Sequence, residues 1–103
     1  MEKVTSLATQ KALVIFSYSS CCMCHSIQQL FIGLGAYPAV YELDALPNGK
    51  ELEKALVKLV GRKPPVPAVF IGGNFIGSNE RVMALHLQGR LFQILRDAGA
   101  IFV

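Results

Sequence analysis

Residues 12–24 read ALVIFSYSSCCMC and join two kinds of sequence pattern. The first five residues form a continuous β-rich apolar run, which is typical of a strand buried on both faces. Beyond the cysteines, Ile27, Leu30, Phe31 and Leu34 recur at the spacing of an amphipathic helix. The segment therefore predicts a buried strand that leads directly into a helix, with three cysteines at the junction.

The rest of the chain continues the alternation of strands and helices. Residues 39–43 predict a second strand, and the helical stripe of apolar residues that follows is ended by Gly61. A strand–helix–strand unit of this size makes its two strands parallel, with a right-handed crossover. Residues 68–71 and 75–76 flank Gly72-Gly73-Asn74, which favours a hairpin. With helices predicted over residues 2–10, 78–87 and 91–98, we expect an α/β domain with helices on both faces of a small mixed sheet.

The composition is that of one small domain. The chain has 103 residues, of which 52% are hydrophobic, so we expect residues 1–103 to form a single domain with its own core. No apolar stretch approaches the ~20 residues that a membrane-spanning helix needs, and polar residues interrupt any signal-peptide core. The net charge of +3 comes from scattered Lys and Arg rather than from a basic run. We therefore expect no membrane partner, no direct nucleic-acid binding and a reducing, cytoplasmic setting.

Cys21 lies where the predicted strand ends and the helix begins. A side chain at this N-cap points at the unpaired amides of the first turn and at the positive end of the helix dipole. Both favour the thiolate, so we expect the pKa of the Cys21 thiol to fall below the ordinary ~8.5. Cys24 follows one turn later on the same side, and a C-x-x-C pair in this context favours redox chemistry. Cys21 would attack a disulfide, and Cys24 would displace the product and leave a Cys21–Cys24 bridge.

Two other interpretations concern the metal chemistry and the middle cysteine. Structural zinc needs four ligands, and only His25 and His86 are left to supply them, neither with a second ligand pair nearby in the sequence. We therefore expect no structural metal. Cys22 is either a small side chain tolerated at the first helical position or an additional redox or cluster ligand.

Three motifs together resemble the glutaredoxin family, whose members have the thioredoxin fold. They are Cys21-x-x-Cys24 after a buried strand, Val66-Pro67 before AVFIGG, and GSNERVMALH at the start of a late helix. The resemblance runs from about residue 11 to the C-terminus. The CCMC version, with a terminal GAIFV, is similar to the CC-type glutaredoxins of land plants, the ROXY group. The resemblance implies a four-stranded mixed sheet flanked by helices, and a glutathione-dependent oxidoreductase that acts on disulfide-containing proteins and glutathione mixed disulfides.

A glutathione site over Cys21 is part of what the resemblance implies. A cis peptide between Val66 and Pro67 would lie beside the nucleophile and offer backbone hydrogen bonds to glutathione. The γ-glutamyl carboxylate would meet the start of the late helix at Ser78 and Asn79. These two residues are also good capping residues, and helix N-termini bind carboxylates.

The chain departs from the family's pattern at two positions of this site. Tyr18 stands where many relatives have a lysine that pairs with the glycyl carboxylate of glutathione, and Arg62 or Lys63 would partly replace that lysine. Glu80-Arg81 stands where many relatives have two aspartates, and a cation in the first turn of a helix opposes the helix dipole. We therefore expect altered glutathione binding and lower turnover.

Two alternative functions follow from the resemblance. In the CC-type group the terminal residues and the leucine-rich helix, here residues 91–95, are linked to TGA-type bZIP transcription factors. The chain would then be a low-turnover adaptor that acts in the nucleus, although core packing also explains Leu91, Ile94 and Leu95. The other alternative is a [2Fe–2S] carrier, in which Cys21 thiolates and glutathione from two protomers hold the cluster.

Overall fold

The computed structural model of the protein describes residues 2–61 and 65–100. Over these residues the elements are α1 (Glu2–Gln10), β1 (Leu13–Ser17), α2 (Cys22–Gly33), β2 (Ala39–Glu42), α3 (Gly49–Val60), β3 (Ala68–Ile71), β4 (Asn74–Gly77), α4 (Asn79–Leu87) and α5 (Leu91–Asp97). Every element expected from the sequence is present, with ends displaced by at most a few residues. In the described part of the chain, no helix is long and apolar enough to cross a membrane.

The four strands form one mixed sheet in the order β2-β1-β3-β4. β1 runs parallel to β2, with Val14 opposite Ala39, which confirms the predicted strand–helix–strand unit. β3 runs antiparallel to β1, with Phe16 opposite Ala68, and β4 completes a hairpin with β3. β1 therefore lies inside the sheet, and all five of its residues are buried, as its unbroken apolar run predicted.

Alternate residues of the two central strands supply two separate cores. Leu13 and Ile15 of β1 face α2, α4 and α5, whereas Val14 and Phe16 face α1 and α3. Phe16 stacks on Tyr41 and meets Phe70 edge-on, with ring centroids 5.7 and 5.6 Å apart. The helical residues that cover the first face are Ile27, Phe31, Val82, Leu85, Leu91 and Leu95, and those that cover the second are Val4, Ala8, Leu52 and Leu56. Helices on both faces confirm the predicted layering.

Three glycines at two places in the chain need backbone angles that other residues rarely adopt. Gly61 ends α3 with φ 85°, as a C-cap glycine does. Gly72 and Gly73 connect β3 to β4 with φ 60° and 83°, and positive φ at both central residues is what a type I′ hairpin turn requires. The predicted helix end and the predicted hairpin are therefore both confirmed.

The strand directions bring four chain segments together at one end of the sheet. β1, β2 and β4 end there, while β3 begins there, because β3 is antiparallel to β1 and β4. The amide of Leu43 donates to the Ser17 carbonyl at 2.8 Å, so the β1–β2 pairing continues up to this end. We call this the redox end of the sheet, because the turn from β1 to α2 carries all three cysteines.

Candidate active site

Cys21 is the N-cap of α2, as the sequence predicted. Its backbone is extended, with φ −85° and ψ 105°, and its sulfur accepts a hydrogen bond from the Cys24 amide at 3.1 Å. A second bond, from the Cys21 amide to the Tyr18 carbonyl at 3.1 Å, closes the turn that precedes the helix. The sulfur therefore lies against a backbone donor and at the positive end of the α2 dipole, and both stabilise a thiolate.

The three cysteines differ in their exposure to solvent. Cys24 is 1% exposed, Cys21 is partly buried and Cys22 is exposed. Cys21 and Cys24 form a disulfide, with their Cα atoms 5.3 Å apart, while the Cys22 thiol is free. Of this pair, a large substrate can reach only Cys21, so the burial favours Cys21 as the attacking thiol, and the roles of the two thiols stay a prediction.

Tyr18, three residues before Cys21, is anchored by a carboxylate. Its hydroxyl donates a hydrogen bond to Glu53 of α3, and both side chains line a cavity of about 800 Å³. Burial, then the Glu53 hydrogen bond and charge, and finally the Asp44 charge raise the pKa of Tyr18 to about 12. The side chain at this position is therefore neutral and already hydrogen-bonded at physiological pH.

A second carboxylate holds the same turn. Asp44, which follows β2, accepts hydrogen bonds from the Ser19 hydroxyl and, at 3.1 Å, from the Ser19 amide. These bonds stabilise the ionised form and hold the pKa of Asp44 below its usual value. The sequence analysis missed both Asp44 and Glu53. Asp44 could have been found, because β1 and β2 are parallel and their carboxyl ends meet at one edge.

Val66 and Pro67 lie at the redox end, where the sheet register places them. Phe16 pairs with Ala68, so the residues just before β3 come alongside those just after Phe16. The peptide bond between Val66 and Pro67 is cis, as the resemblance implied. Val66 is buried in the same apolar cluster as Cys24, and Tyr18 and Cys21 pack against that cluster.

Ser78 and Asn79 also reach the redox end, at the start of α4. Ser78 is the N-cap, directly after β4, but its side chain makes no capping hydrogen bond. The hydroxyl instead donates to Oδ1 of Asn79 at 3.1 Å. The position at the start of α4 was therefore predicted correctly, whereas side-chain capping by Ser78 was wrong, because its hydroxyl makes no capping hydrogen bond.

Some predicted features lie outside the described residues or are part of the core. Arg62 and Lys63, proposed as replacement cations, and residues 101–103 of the terminal GAIFV are outside the described ranges. Leu91 and Leu95 are 0% exposed and Ile94 packs against the same cluster, so the leucine-rich helix is part of the core. Within residues 2–61 and 65–100, no three His, Cys, Asp or Glu side chains form a group that could hold a metal ion.

Comparison with known proteins decides the family. Residues 13–76 match the glutaredoxin family. The chain is 59% identical over 103 residues to Glutaredoxin-C1 of Oryza sativa subsp. japonica, and the match covers 100% of both chains. It is 52% identical to Glutaredoxin-C11 of Arabidopsis thaliana, again over 100% of both. The chain belongs to the glutaredoxin family.

Solved glutaredoxin structures share the fold. The buckwheat glutaredoxin–glutathione complex superposes with a TM-score of 0.92 at 38% identity, covering 98% of this chain and 91% of the other. The holo form of glutaredoxin C1 from Populus tremula x tremuloides gives a TM-score of 0.87 at 39% identity, covering 94% and 95%. The mixed four-stranded sheet with its flanking helices is therefore the thioredoxin-like α/β fold that the sequence predicted. As a member of the glutaredoxin family, the protein is a thiol oxidoreductase.

Proposed function

We propose that this glutaredoxin is a glutathione-dependent oxidoreductase with Cys21 as its nucleophile. The observation that supports this most is the placement of Cys21 as a sulfur N-cap, bonded to the Cys24 amide and more accessible than Cys24. The family membership and the glutathione complex of the buckwheat relative also support it.

In the proposed reaction each step exchanges one disulfide for another. The Cys21 thiolate attacks a protein–glutathione mixed disulfide, the Cys21–glutathione bond forms, and the protein thiolate leaves and takes a proton from solvent. A second glutathione thiolate then attacks, which yields oxidised glutathione and regenerates Cys21. On a protein disulfide, Cys24 instead displaces the substrate thiol and forms the Cys21–Cys24 bridge, which two glutathione molecules reduce.

The proposed glutathione site uses the segments that meet at the redox end. Val66 and Pro67 would offer backbone hydrogen bonds, and the start of α4 at Ser78 and Asn79 would hold the γ-glutamyl carboxylate. Tyr18 would contribute at most one hydrogen bond and no charge, since its hydroxyl already binds Glu53. We therefore expect weaker glutathione binding than a lysine at this position would give.

A glutathione-coupled reductase assay on four proteins tests the proposal. Wild type and Cys22→Ser should turn over a small mixed disulfide, Cys24→Ser should retain part of that turnover, and Cys21→Ser should have none. Because Cys24 is buried, Cys24→Ala serves as a second variant that adds no hydroxyl to the core. Absence of turnover in the wild-type protein contradicts the proposal.

The CC-type assignment belongs to the same proposal and is supported by Cys21-Cys22-Met23-Cys24. The TGA-type bZIP partner stays a prediction. Because Leu91 and Leu95 are buried, we expect the terminal residues, rather than these two leucines, to contact such a partner. Deleting residues 101–103 should abolish capture of such a partner while sparing thiol chemistry. Cytoplasmic and nuclear localisation likewise stays a prediction, which imaging of a fluorescent fusion would test.

The [2Fe–2S] alternative requires two chains. Each protomer would contribute Cys21 to the cluster, so glutathione and a second protomer would have to complete the set. Such a cluster would act as an iron–sulfur cargo rather than take part in the disulfide exchange. A brown dimer after anaerobic reconstitution with glutathione is the expected result, and a colourless monomer contradicts it.

A further inference from the structure

Helix α3 carries a row of three lysines on its outer side. Lys50, Lys54 and Lys58 are spaced four residues apart, so they follow one another along the same side of the helix. All three are exposed, whereas Leu52 and Leu56 on the opposite side are buried in the core. At the rise of an α-helix the row is about 12 Å long. We call these three residues the lysine row.

The lysine row borders a shallow groove. The groove has a volume of about 550 Å³ and is lined by the three lysines together with Glu53 and Val57. Lysine stems cover apolar surface while their ammonium groups stay in water. The groove is therefore bordered by apolar surface from Val57 and the lysine stems, with three positive charges and the single negative charge of Glu53 around it.

The groove is continuous with the cavity beside the active site. Lys50 and Glu53 line both the groove and the cavity of about 800 Å³ that contains Tyr18. The Tyr18 carbonyl in turn accepts the hydrogen bond from the Cys21 amide. A protein segment that lies along the row is thus led towards the turn that carries the nucleophile.

The charges of the row are not neutralised within the described residues. None of the three ammonium groups has a hydrogen-bond or ion-pair partner among residues 2–61 and 65–100. Exposed ammonium groups of this kind can pair with carboxylates of a partner, which would also speed association.

We propose that the lysine row is a docking surface for an acidic segment of the protein whose disulfide is exchanged at Cys21. This rests on the proposed function, since it names the class of protein substrate. A line of two or three carboxylates matches the length of the row. A nucleic-acid backbone fits less well, because the other Lys and Arg are scattered along the sequence and form no basic run of the kind that nucleic-acid binders carry.

The test uses two peptides, each carrying one cysteine as a mixed disulfide with glutathione. One peptide has Asp and Glu beside the cysteine, and the other has Asn and Gln at the same positions. In the variant K50Q/K54Q/K58Q, kcat/KM for the acidic peptide should fall about fivefold, mainly through KM, with the neutral peptide unchanged. The loss should shrink as salt is added, because these charges are exposed.

A second triple variant controls for net charge. K11Q/R90Q/R96Q removes the same three charges from exposed positions outside α3 and should leave both peptides unaffected. Circular dichroism checks that both variants fold. Equal losses on the two peptides, or equal losses in the two variants, would overturn the docking surface.

Direct binding separates this proposal from the reductase proposal. If the wild type reduces neither peptide, the reductase proposal fails, and fluorescence anisotropy of the labelled acidic peptide still tests docking. Binding that K50Q/K54Q/K58Q weakens supports the lysine row, and binding that the two triple variants weaken equally contradicts it. If an equal concentration of short duplex DNA displaces the acidic peptide, the proposal of an acidic protein segment is overturned in favour of nucleic acid.

Discussion

Two sets of residues surround the turn between β1 and α2. The sulfur side consists of Cys21 and Cys24. On the carboxylate side, Asp44 accepts hydrogen bonds from Ser19, and Glu53 accepts one from Tyr18. On the sulfur side a backbone amide donates to Cys21, whose bond to Cys24 must form and break during the proposed exchange. On the carboxylate side the donors are hydroxyls and an amide, and the acceptors belong to the segment from β2 into α3. One side therefore provides reactivity, whereas the other fixes the reactive turn to the rest of the domain.

The largest expected effect comes from removing the sulfur of Cys21. Cys21→Ser should lose all turnover in the glutathione-coupled assay, because the hydroxyl is a far weaker nucleophile than a thiolate. The same change should leave the free energy of unfolding of the reduced protein within about 0.5 kcal/mol, because serine is a good N-cap. Chemical denaturation of the reduced proteins measures this.

Cys21→Ala is the matched control for the capping role of the sulfur. It removes the side-chain acceptor as well as the nucleophile, so it should lower the free energy of unfolding by about 1 kcal/mol. If serine and alanine destabilise the reduced protein equally, Cys21 does not stabilise the start of α2.

The next effect concerns the reactivity of the Cys21 thiol. In reduced Cys22→Ser/Cys24→Ser, iodoacetamide should alkylate Cys21 half-maximally at a pH at least about one unit below the ~8.5 of a free thiol. The amide and the helix dipole favour the thiolate and cause this shift. A profile that coincides with that of glutathione, measured in parallel, would show that the helix start does not activate the sulfur.

On the carboxylate side, Glu53→Gln is expected to lower the pKa of Tyr18. Burial and Glu53 raise the pKa of Tyr18 to about 12 from 10.0, so Glu53→Gln should lower it, although burial keeps it above 10.0. Because the folded-state value is raised, the stabilising contribution of Tyr18 is present below pH 10 and is lost as the pH rises towards 12. Ultraviolet titration of tyrosinate measures the midpoint, and Tyr18→Phe identifies it.

Tyr37→Phe is the control for this titration, since Tyr37 is 76% exposed. It should leave the high midpoint in place. If the high midpoint of tyrosinate formation lies at the same pH in Glu53→Gln as in the wild type, Glu53 does not act on Tyr18.

The smallest effect is expected at Asp44. The Ser19 hydroxyl, followed by the Ser19 amide, holds the pKa of Asp44 below 3.8, so Ser19→Ala should raise it part of the way back. The contribution of Asp44 to stability is present above its ordinary pKa and is lost as the pH falls through the lowered value. Carbon NMR of the carboxyl group follows the midpoint, and a midpoint that does not move would contradict this assignment.

The sulfur side could be predicted from the sequence because its determinants are local. An apolar run followed by helical periodicity fixes where α2 starts, and that start alone makes Cys21 the N-cap. The ends of β1 were less accurate, since the strand spans Leu13–Ser17 rather than residues 12–16. The amide of Gly72 pairs with the Ala12 carbonyl at 2.8 Å, so Ala12 still takes part in the sheet pairing.

The carboxylate side was missed because its contacts are long-range, and only its Asp44 half could have been found from the predicted parallel pairing of β1 with β2. Ser19 and Asp44 are 25 residues apart, and only the parallel pairing of β1 with β2 brings them together. Glu53 is one of several exposed-looking charges on α3, and nothing local separates it from Glu51. Ser78 shows the opposite error, because its type and position predicted a capping bond, whereas its hydroxyl donates to the neighbouring Asn79 oxygen and makes no capping bond.

The strand directions also determine where the molecule can be attached to a surface or a label. Tyr37 lies just before β2, next to Lys11, Ala12 and Ala100, at the end of the sheet away from the cysteines. A linker joined at this exposed side chain would be attached at the opposite end of the sheet from Cys21. Immobilised in that orientation, the protein would present its thiols to material in solution.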